Sequence, residues 1–149
     1  MNIEEQIADY KPYNEQEAHD QAVMRQLLAT QPDLFTRENQ VVHMTASSWL
    51  LNATHDKVLM IYHNIYHSWA WTGGHADGDR DLLAVAKREA MEETGVTEIR
   101  TISEDIFSLE ILTVDGHEKR GVYVPSHLHL NVSYLLEADE EEVLRIKPD

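Results

Sequence analysis

The stretch GGHADGDRDLLAVAKREAMEETGV, residues 73–96, decides the fold. Its first residues are rich in glycine and aspartate, which favour turns, and the residues after them are mostly strong helix formers. The pattern predicts a helix from Asp79 to Thr94, with Asp79 as the N-cap and Gly95 at the position of a left-handed C-cap. The predicted unit is therefore a glycine-rich loop that runs directly into a helix.

Three glutamates of this helix, Glu89, Glu92 and Glu93, are predicted to share one side of it. At about 100° per residue they fall within an arc of about 100°. Like charges at this spacing cost a helix roughly 0.2–0.5 kcal/mol per pair, so the cluster is either fully solvated or holds a cation. Mg²⁺ prefers oxygen ligands together with substrate phosphates. Gly73 and Gly74 would let the backbone approach a phosphate-containing ligand closely.

The sequence around this unit predicts an α+β or mixed α/β domain built on a mixed sheet. A helix is predicted from Asn14 to Thr30, where Asn14 and Glu17 fit a capping box, and residues 33–35 are predicted to form a turn that anchors two apolar side chains. Residues 1–40 are interpreted as an N-terminal helical extension and residues 41–149 as the main part of a single domain. Strands are predicted at residues 43–51, 57–63, 68–72, 106–114 and 127–136.

Composition excludes several classes of protein. The chain has 149 residues, enough for one domain, and its 27 acidic against 12 basic residues give a net charge of -15. This balance argues against binding to nucleic acids or to anionic membranes. The longest apolar run, residues 58–62, is far shorter than the roughly 20 residues of a membrane span, and no secretory signal is evident, so a cytoplasmic location is expected. Without cysteine, a metal must bind to oxygen or imidazole ligands.

The 73–96 stretch resembles the signature of the Nudix hydrolases. Seven of its nine fixed positions match over 23 residues, namely Gly74, Arg88, Glu89, Glu92, Glu93, Gly95 and Val96. Arg80 and Ala90 depart from the pattern, which has a glutamate and a larger aliphatic residue there. The resemblance extends from about Val41 to Leu136 and implies a Nudix-like fold, with the catalytic helix packed on a mixed sheet. The N-terminal helix would be an addition, and the usual C-terminal helix would be either missing or replaced by it.

The resemblance also implies an activity. Nudix hydrolases cleave a pyrophosphate within a nucleoside diphosphate linked to another group, and they use Mg²⁺ or Mn²⁺. By this resemblance Glu89, Glu92, Glu93 and the carbonyl of Gly74 would be metal ligands, Glu89 would be catalytic, and Arg88 would orient a carboxylate. The general base stays open between Glu89 and more distant carboxylates. The distant candidates are Glu110, Asp115 and Glu118.

Other conspicuous residues are weaker candidates for binding the substrate. They are Trp71, His75, Lys119, Arg120, His127 and His129. His127 and His129 would share one face of a strand, where a zinc site with His75 or His117 is the less frequent alternative to ordinary sheet-face histidines. Trp69 and Trp71 are more often core residues, and Lys119 with Arg120 fit a solvated hairpin tip.

Two function classes follow. The first is a metal-dependent pyrophosphohydrolase whose partner is a small nucleoside diphosphate-type substrate, with a homodimer as an open possibility. The alternative is a Nudix-fold regulatory module that binds a nucleotide without hydrolysing it. The intact carboxylates favour the enzyme. Arg80, placed in the first helical turn, would oppose the helix dipole, so Arg80→Glu is expected to be slightly stabilising.

Overall fold

The computed structural model describes residues 1–64 and 66–145. Its elements in chain order are α1 (Ile3–Asp9), α2 (Glu15–Thr30), β1 (Val42–Leu51), β2 (Val58–Leu59), β3 (Ile61–His63), β4 (Ser68–Ala70), β5 (Thr72–His75), α3 (Leu82–Thr94), β6 (Arg100–Thr101), β7 (Ser108–Val114), β8 (His117–Lys119), β9 (Val122–Val124) and β10 (His127–Glu137). Within these ranges no helix combines the length and the apolar character that a bilayer crossing requires.

The centre of the fold is a mixed sheet around β1 and β10. These two long strands run parallel, with His43 opposite His129 and Ser47 opposite Ser133. Strands β2 and β5 pair antiparallel with β1, and β6 and β7 pair antiparallel with β10. Two separate hairpins, β3–β4 and β8–β9, lie outside this sheet. The predicted α+β architecture on a mixed sheet is therefore confirmed.

The three helices share one face of the sheet. Alternate residues of β1, including Met44 and Ala46, point to this face because side chains alternate along a strand. Ile7 of α1, Met24 of α2 and Val85 of α3 are fully buried in the same apolar cluster. The N-terminal extension therefore contributes to the core. Residues 138–145, which follow β10, contain no helix.

Helix α2 matches its prediction, but its capping box is only half formed. The side chain of Asn14 accepts a hydrogen bond from Glu17 N at 2.9 Å, as expected. Glu17 does not return the bond to Asn14; it accepts from Tyr13 N at 2.7 Å and from Leu109 N at 3.1 Å. The Glu17 carboxylate thus joins α2 to the outer strand β7. A local capping motif cannot reveal a partner as distant in the chain as Leu109.

Helix α3 begins later than predicted. Asp81, not Asp79, is the N-cap, and its side chain accepts a hydrogen bond from Ala84 N at 3.1 Å. Asp79 instead accepts from Asp81 N at 2.9 Å and so closes a turn just before the helix. The C-terminal prediction is confirmed, because Gly95 has φ 80° and its N–H donates to Met91 O.

Other differences concern short elements. The predicted strands at 57–63 and 68–72 are each divided, at Met60 and Trp71, because only one part of each pairs with the main sheet. Helix α1 and β6 were not predicted from the sequence, and the β8–β9 hairpin was predicted only as a solvated tip at Lys119 and Arg120. The predicted turn at residues 33–35 is confirmed, with Leu34 and Phe35 buried.

One end of the sheet carries an ionic cluster. Glu137, the last residue of β10, accepts a hydrogen bond from Arg100 Nε of β6 at 2.7 Å. Its other oxygen lies 2.6 Å from His55 Nε2. The hydrogen bonds from Arg100 and His55 lower the pKa of the Glu137 carboxyl. Through Glu137, the cluster joins Arg100 of β6 to His55 in the loop between β1 and β2.

Candidate active site

The glycine pair of β5 lies directly against the carboxylates of α3. Gly73 N donates a hydrogen bond to Glu93 Oε1 at 2.8 Å. At Gly74, a Cβ atom would lie 2.4 Å from Glu89 Cδ and 2.6 Å from Glu89 Oε1. Glu89 therefore occupies the space that any side chain at position 74 would fill. The absence of a side chain on Gly74 is what brings a helix carboxylate into contact with the strand backbone.

Small residues on α3 permit this close approach. Ala86 and Ala90 are buried, and Ala90 packs in a cluster with Leu50 of β1 and Leu136 of β10. A larger aliphatic residue at position 90 would hold the helix farther from the sheet. The departure of Ala90 from the Nudix pattern thus corresponds to tight packing of α3 on the sheet.

The donor set suits a hard divalent cation. Glu89 and Glu93 are half-buried against β5, and Glu92 is exposed one turn away on the same helix. Carboxylate and carbonyl oxygens are the ligands that Mg²⁺ and Mn²⁺ prefer. The cradle at Gly74 places the Glu89 carboxylate directly beside the strand backbone. The residues present therefore fit the metal that the resemblance implies, while their roles as ligands stay predictions.

The loop between β5 and α3 is held by ion pairs. The Arg37 guanidinium donates two hydrogen bonds of 2.8 Å to the Asp77 carboxylate, in the forked geometry that makes such pairs strong. Arg88 Nη1 lies 3.6 Å from Asp79 Oδ2. The resemblance implied that Arg88 orients a carboxylate, and the partner in the structure is this loop aspartate. The loop is thus tied both to the segment before β1 and to α3.

Arg80 is not part of this arrangement. It precedes the helix and does not lie in its first turn, so the predicted conflict with the helix dipole does not arise. Its guanidinium forms an ion pair with Glu4 of α1 and lies 4.3 Å above the centroid of the Phe35 ring. The expectation that Arg80→Glu stabilises the protein assumed that Arg80 lies in the first turn of the helix, and this assumption is wrong.

The sheet face opposite the helices is polar. We call it the polar sheet face and define it by Thr45, Ser47, Glu110, Asn131 and Ser133. Asn131 accepts from Thr45 Oγ1 at 2.9 Å and donates to Ser47 Oγ at 2.7 Å and to Glu110 Oε2 at 2.9 Å. Glu110, a candidate base, is thereby held in a fixed orientation. Asp115 and Glu118 lie exposed near the β8–β9 hairpin.

Four histidines meet at one end of the polar sheet face. This histidine cluster consists of His43, His75, His127 and His129, whose contacting rings have centroids 4.8–5.2 Å apart. Burial lowers the pKa of His75 to about 4 and that of His129 to about 3, and it also lowers the pKa of His43. These imidazoles are therefore neutral at pH 7.

Sequence reasoning found three of these histidines and missed His43, which lies opposite His129 in the register. His43 stands between the apolar residues Val42 and Met44, and this alternation was the available signal that its side chain points to the face opposite theirs. His117 is not in the cluster, since its Nδ1 lies 2.8 Å from the carbonyl of Asp115. The alternative grouping with His117 is therefore not what the structure shows.

The remaining candidates lie at the edges. Trp71 is 37% exposed, with its ring 5.5 Å from that of Trp49, and Trp69 is 66% exposed, so the core interpretation is wrong for both residues. Lys119 and Arg120 are exposed at the β8–β9 turn, as expected of a solvated tip, and Arg120 has φ 52°. Their roles in substrate binding stay predictions.

Several solved structures align with part of the chain. The binary complex of C. elegans Ap4A hydrolase is 20% identical and aligns over 69% of this chain and 71% of that one, with a TM-score of 0.47. A NUDIX-family hydrolase from Clostridium perfringens is 20% identical over 70% and 73%, with a TM-score of 0.47. The NUDIX domain of Shewanella oneidensis NrtR, complexed with ADP ribose, is 22% identical over 83% and 75%, with a TM-score of 0.41.

None of the curated proteins matches the chain. The sequence pattern described as "NUDIX domain" matches residues 41–147, which is more than half of the molecule. This match covers the glycine pair, the loop, helix α3 and the sheet on which they lie. The chain therefore belongs to the Nudix domain family.

Proposed function

We propose that this protein is a Mg²⁺- or Mn²⁺-dependent hydrolase that cleaves the diphosphate bond of a nucleoside diphosphate linked to another group. The observation that carries the proposal is the contact between the Gly73–Gly74 backbone and the carboxylates of Glu89 and Glu93. It brings the carboxylates of two helix residues against the strand backbone without requiring a change of fold. In a solvated acidic helix the glutamates would extend into water and would not contact a strand backbone.

In the proposed mechanism Glu89, Glu92, Glu93 and the Gly74 carbonyl would hold the divalent cation. Such ions, when bound, neutralise phosphate charge and lower the pKa of water. A carboxylate then takes a proton from the water that attacks phosphorus, and the anhydride P–O bond breaks to leave two phosphate-terminated products. Glu89 is one candidate for this base because its position is set by Gly74. Glu110, which Asn131 orients, is the more distant candidate, since it lies on the polar sheet face three strands away from β5.

From the α3 carboxylates, the rest of the substrate would pass around the edge strand β5 toward the exposed residues that border the polar sheet face. Thr45, Ser47 and Asn131 of this face are 2–4% exposed and hydrogen-bonded to one another, so they would hold neighbouring strands together and would not contact the substrate themselves. Trp71 at its margin has enough exposed ring to stack on a base. Lys119 and Arg120 would contact phosphate or ribose from the β8–β9 turn.

The test is a screen of nucleoside triphosphates, nucleotide sugars, dinucleotide polyphosphates and ADP-ribose with Mg²⁺ or Mn²⁺. We expect metal-dependent release of phosphate-terminated products from at least one class and none in EDTA. Glu92→Gln provides the matched inactive control, since it removes one charge and keeps the shape of the side chain. Tight binding of a nucleotide with no turnover would instead support the regulatory-module alternative.

Metal binding itself has an activity-independent test. A ligand that binds only the native state raises its stability, and relief of repulsion among the glutamates adds to this effect. We expect the Tm to rise on going from EDTA to several-fold excess Mg²⁺ or Mn²⁺, with a smaller rise in Glu92→Gln. An equal rise in the variant would remove Glu92 from the site.

A further inference from the structure

The histidine cluster contains a set of nitrogen atoms with the spacing of metal ligands. One ring nitrogen from each of His43, His75 and His129 lies within 4.8 Å of the other two. These residues come from β1, β5 and β10, so three neighbouring strands of the rigid sheet position them. They lie on the polar sheet face, whereas α3 and its carboxylates approach β5 from the opposite face. His75 follows Gly74 directly, and consecutive strand residues point to opposite faces.

His43 supplies an independent sign of a missing ligand. It is 4% exposed, and its Nδ1 lies 2.9 Å from the carbonyl oxygen of Asn39. A carbonyl only accepts, so Nδ1 carries the ring proton and Nε2 is left as a lone pair. This buried Nε2 has no hydrogen-bond partner among the described residues. Buried polar atoms are nearly always paired, and the ring that carries this one has its centroid 5.2 Å from that of His75 and 5.0 Å from that of His129.

The surroundings of His43 and His129 resemble the support of metal-bound imidazoles. Such histidines typically donate their other N–H to a carbonyl or a similar acceptor, which sets the tautomer and the ring orientation. Asn39 does this for His43. His127 has its Nδ1 2.8 Å from the Pro125 carbonyl and its Nε2 3.1 Å from His129 Nε2, so it orients His129 in the same way.

The chemistry of the donors selects the ion. Neutral imidazoles suit Zn²⁺ and other borderline transition-metal ions, whereas Mg²⁺ favours oxygen. Zn–N bonds of about 2.0–2.1 Å in a tetrahedral site require nitrogens about 3.4 Å apart. Metal binding would therefore draw together nitrogens that now lie within 4.8 Å of one another. Three protein ligands leave a fourth position open, as in catalytic zinc sites.

We propose that His43, His75 and His129 form a second metal site, distinct from the carboxylates of α3, for a divalent transition-metal ion of the Zn²⁺ type. His127 is a positioning residue that holds His129. The site is built on the strands of the Nudix domain and is independent of the hydrolase activity proposed above.

The experiment uses the full-length protein, stripped of metal and then titrated with Co²⁺ in excess Mg²⁺. Co²⁺ bound to nitrogen ligands in a tetrahedral site absorbs visible light far more strongly than octahedral Co²⁺ on oxygen ligands. We expect one equivalent of Co²⁺ to bind with this absorption, to resist Mg²⁺ and to be displaced by one equivalent of Zn²⁺. A wild-type protein without this spectrum would overturn the proposal, whatever the variants do.

Variants locate the ion. His129→Gln and His75→Gln should each weaken Co²⁺ binding by at least about a hundredfold, because each removes one of three ligands. His19→Gln is the matched control, since His19 is an exposed histidine of α2 whose loss should change nothing. Circular dichroism would verify that each variant folds. If only one of the two cluster variants folds, that variant is sufficient to test the site. Unchanged Co²⁺ affinity in a folded His129→Gln protein would refute the assignment.

A carboxylate variant separates this site from the proposed hydrolase centre. Glu92→Gln should keep the Co²⁺ spectrum and affinity of the wild type while it loses turnover. If Glu92→Gln abolished the spectrum, the ion would belong to the α3 carboxylates and the histidine site would be refuted. Failure of hydrolysis with an intact Co²⁺ site would refute the proposed function alone.

Discussion

Replacement of Gly74 by alanine tests the contact on which the proposed active site depends. The added Cβ would lie 2.4 Å from Glu89 Cδ, which is 1.0 Å short of the 3.4 Å at which ordinary contacts begin. The nearby atoms belong to a flexible side chain, so the carboxylate can move aside by about 1 Å while the strand stays in place. A misplacement of about 1 Å can cost about a hundredfold in rate. We expect Gly74→Ala to lower kcat by about that factor and to leave the Tm nearly unchanged.

Gly78→Ala is the matched control in the same loop. Gly78 has φ 90°, and a Cβ there would have no atom within 4 Å. An alanine in the left-handed region costs roughly 1–2 kcal/mol, so this variant should lose stability and keep turnover within a few-fold. The two glycine variants are therefore expected to show opposite patterns. Kinetics on the substrate found by screening and thermal unfolding measure both.

Mn²⁺ binding, followed by electron paramagnetic resonance, gives a readout that does not need the substrate. Gly74→Ala should weaken it because the added Cβ displaces the Glu89 carboxylate from its place beside the strand, whereas Gly78→Ala should not. Wild-type kcat and Mn²⁺ affinity in a correctly folded Gly74→Ala protein would show that the position of Glu89 against Gly74 has no part in the reaction.

Three further predictions concern single side chains. Glu92→Gln and Glu93→Gln should each lower kcat by at least about a hundredfold with unchanged circular dichroism, since each removes a charged ligand; near-normal turnover in either would exclude that residue. Arg80→Glu should lower the Tm by about 2–4 °C, because it sets a second carboxylate beside Glu4 and costs about 1 kcal/mol, while kcat stays within a few-fold. The pKa of Glu137 is lowered in the folded state, so its stabilisation is present above its ordinary pKa of 4.5 and is lost as the pH falls through the folded value. Glu137→Gln should therefore flatten the fall in Tm across this acid range, and an identical pH profile would contradict the assignment.

The sequence predicted the elements whose signals are local. Helix α2 is recognisable from Asn14 and from the proline that follows it, and α3 from its helix-forming run and Gly95. The approach of Gly74 to Glu89 was expected from the Nudix resemblance alone, because the 14 residues between them give no geometric reason for it. Signals within one turn or cap can be read from the chain, whereas contacts between elements need the packing.

The histidine cluster shows what local signals cannot supply. His127 and His129 were seen to share a face because they are two residues apart on one strand. His43 joins them only because β1 and β10 pair in parallel with His43 opposite His129, 86 residues later in the chain. Parallel pairing and its register depend on the whole fold. The exposure of Trp69 has a similar origin, since β4 pairs in a hairpin outside the main sheet and has no apolar face to enter.

The start of α3 links two of the differences between sequence and structure. Asp79 and Asp81 are equally good caps in isolation, so the sequence alone could not choose between them. Once Asp81 is the cap, Arg80 lies outside the helix and its guanidinium is free to turn toward Glu4 and the Phe35 ring. Glu4 belongs to α1, which was too short to predict. A glutamate at position 80, as in the family pattern, would face Glu4 with like charge. The arginine is therefore the residue type that this chain needs in order to pack α1 beside the loop, and the departure from the pattern follows from the added N-terminal segment.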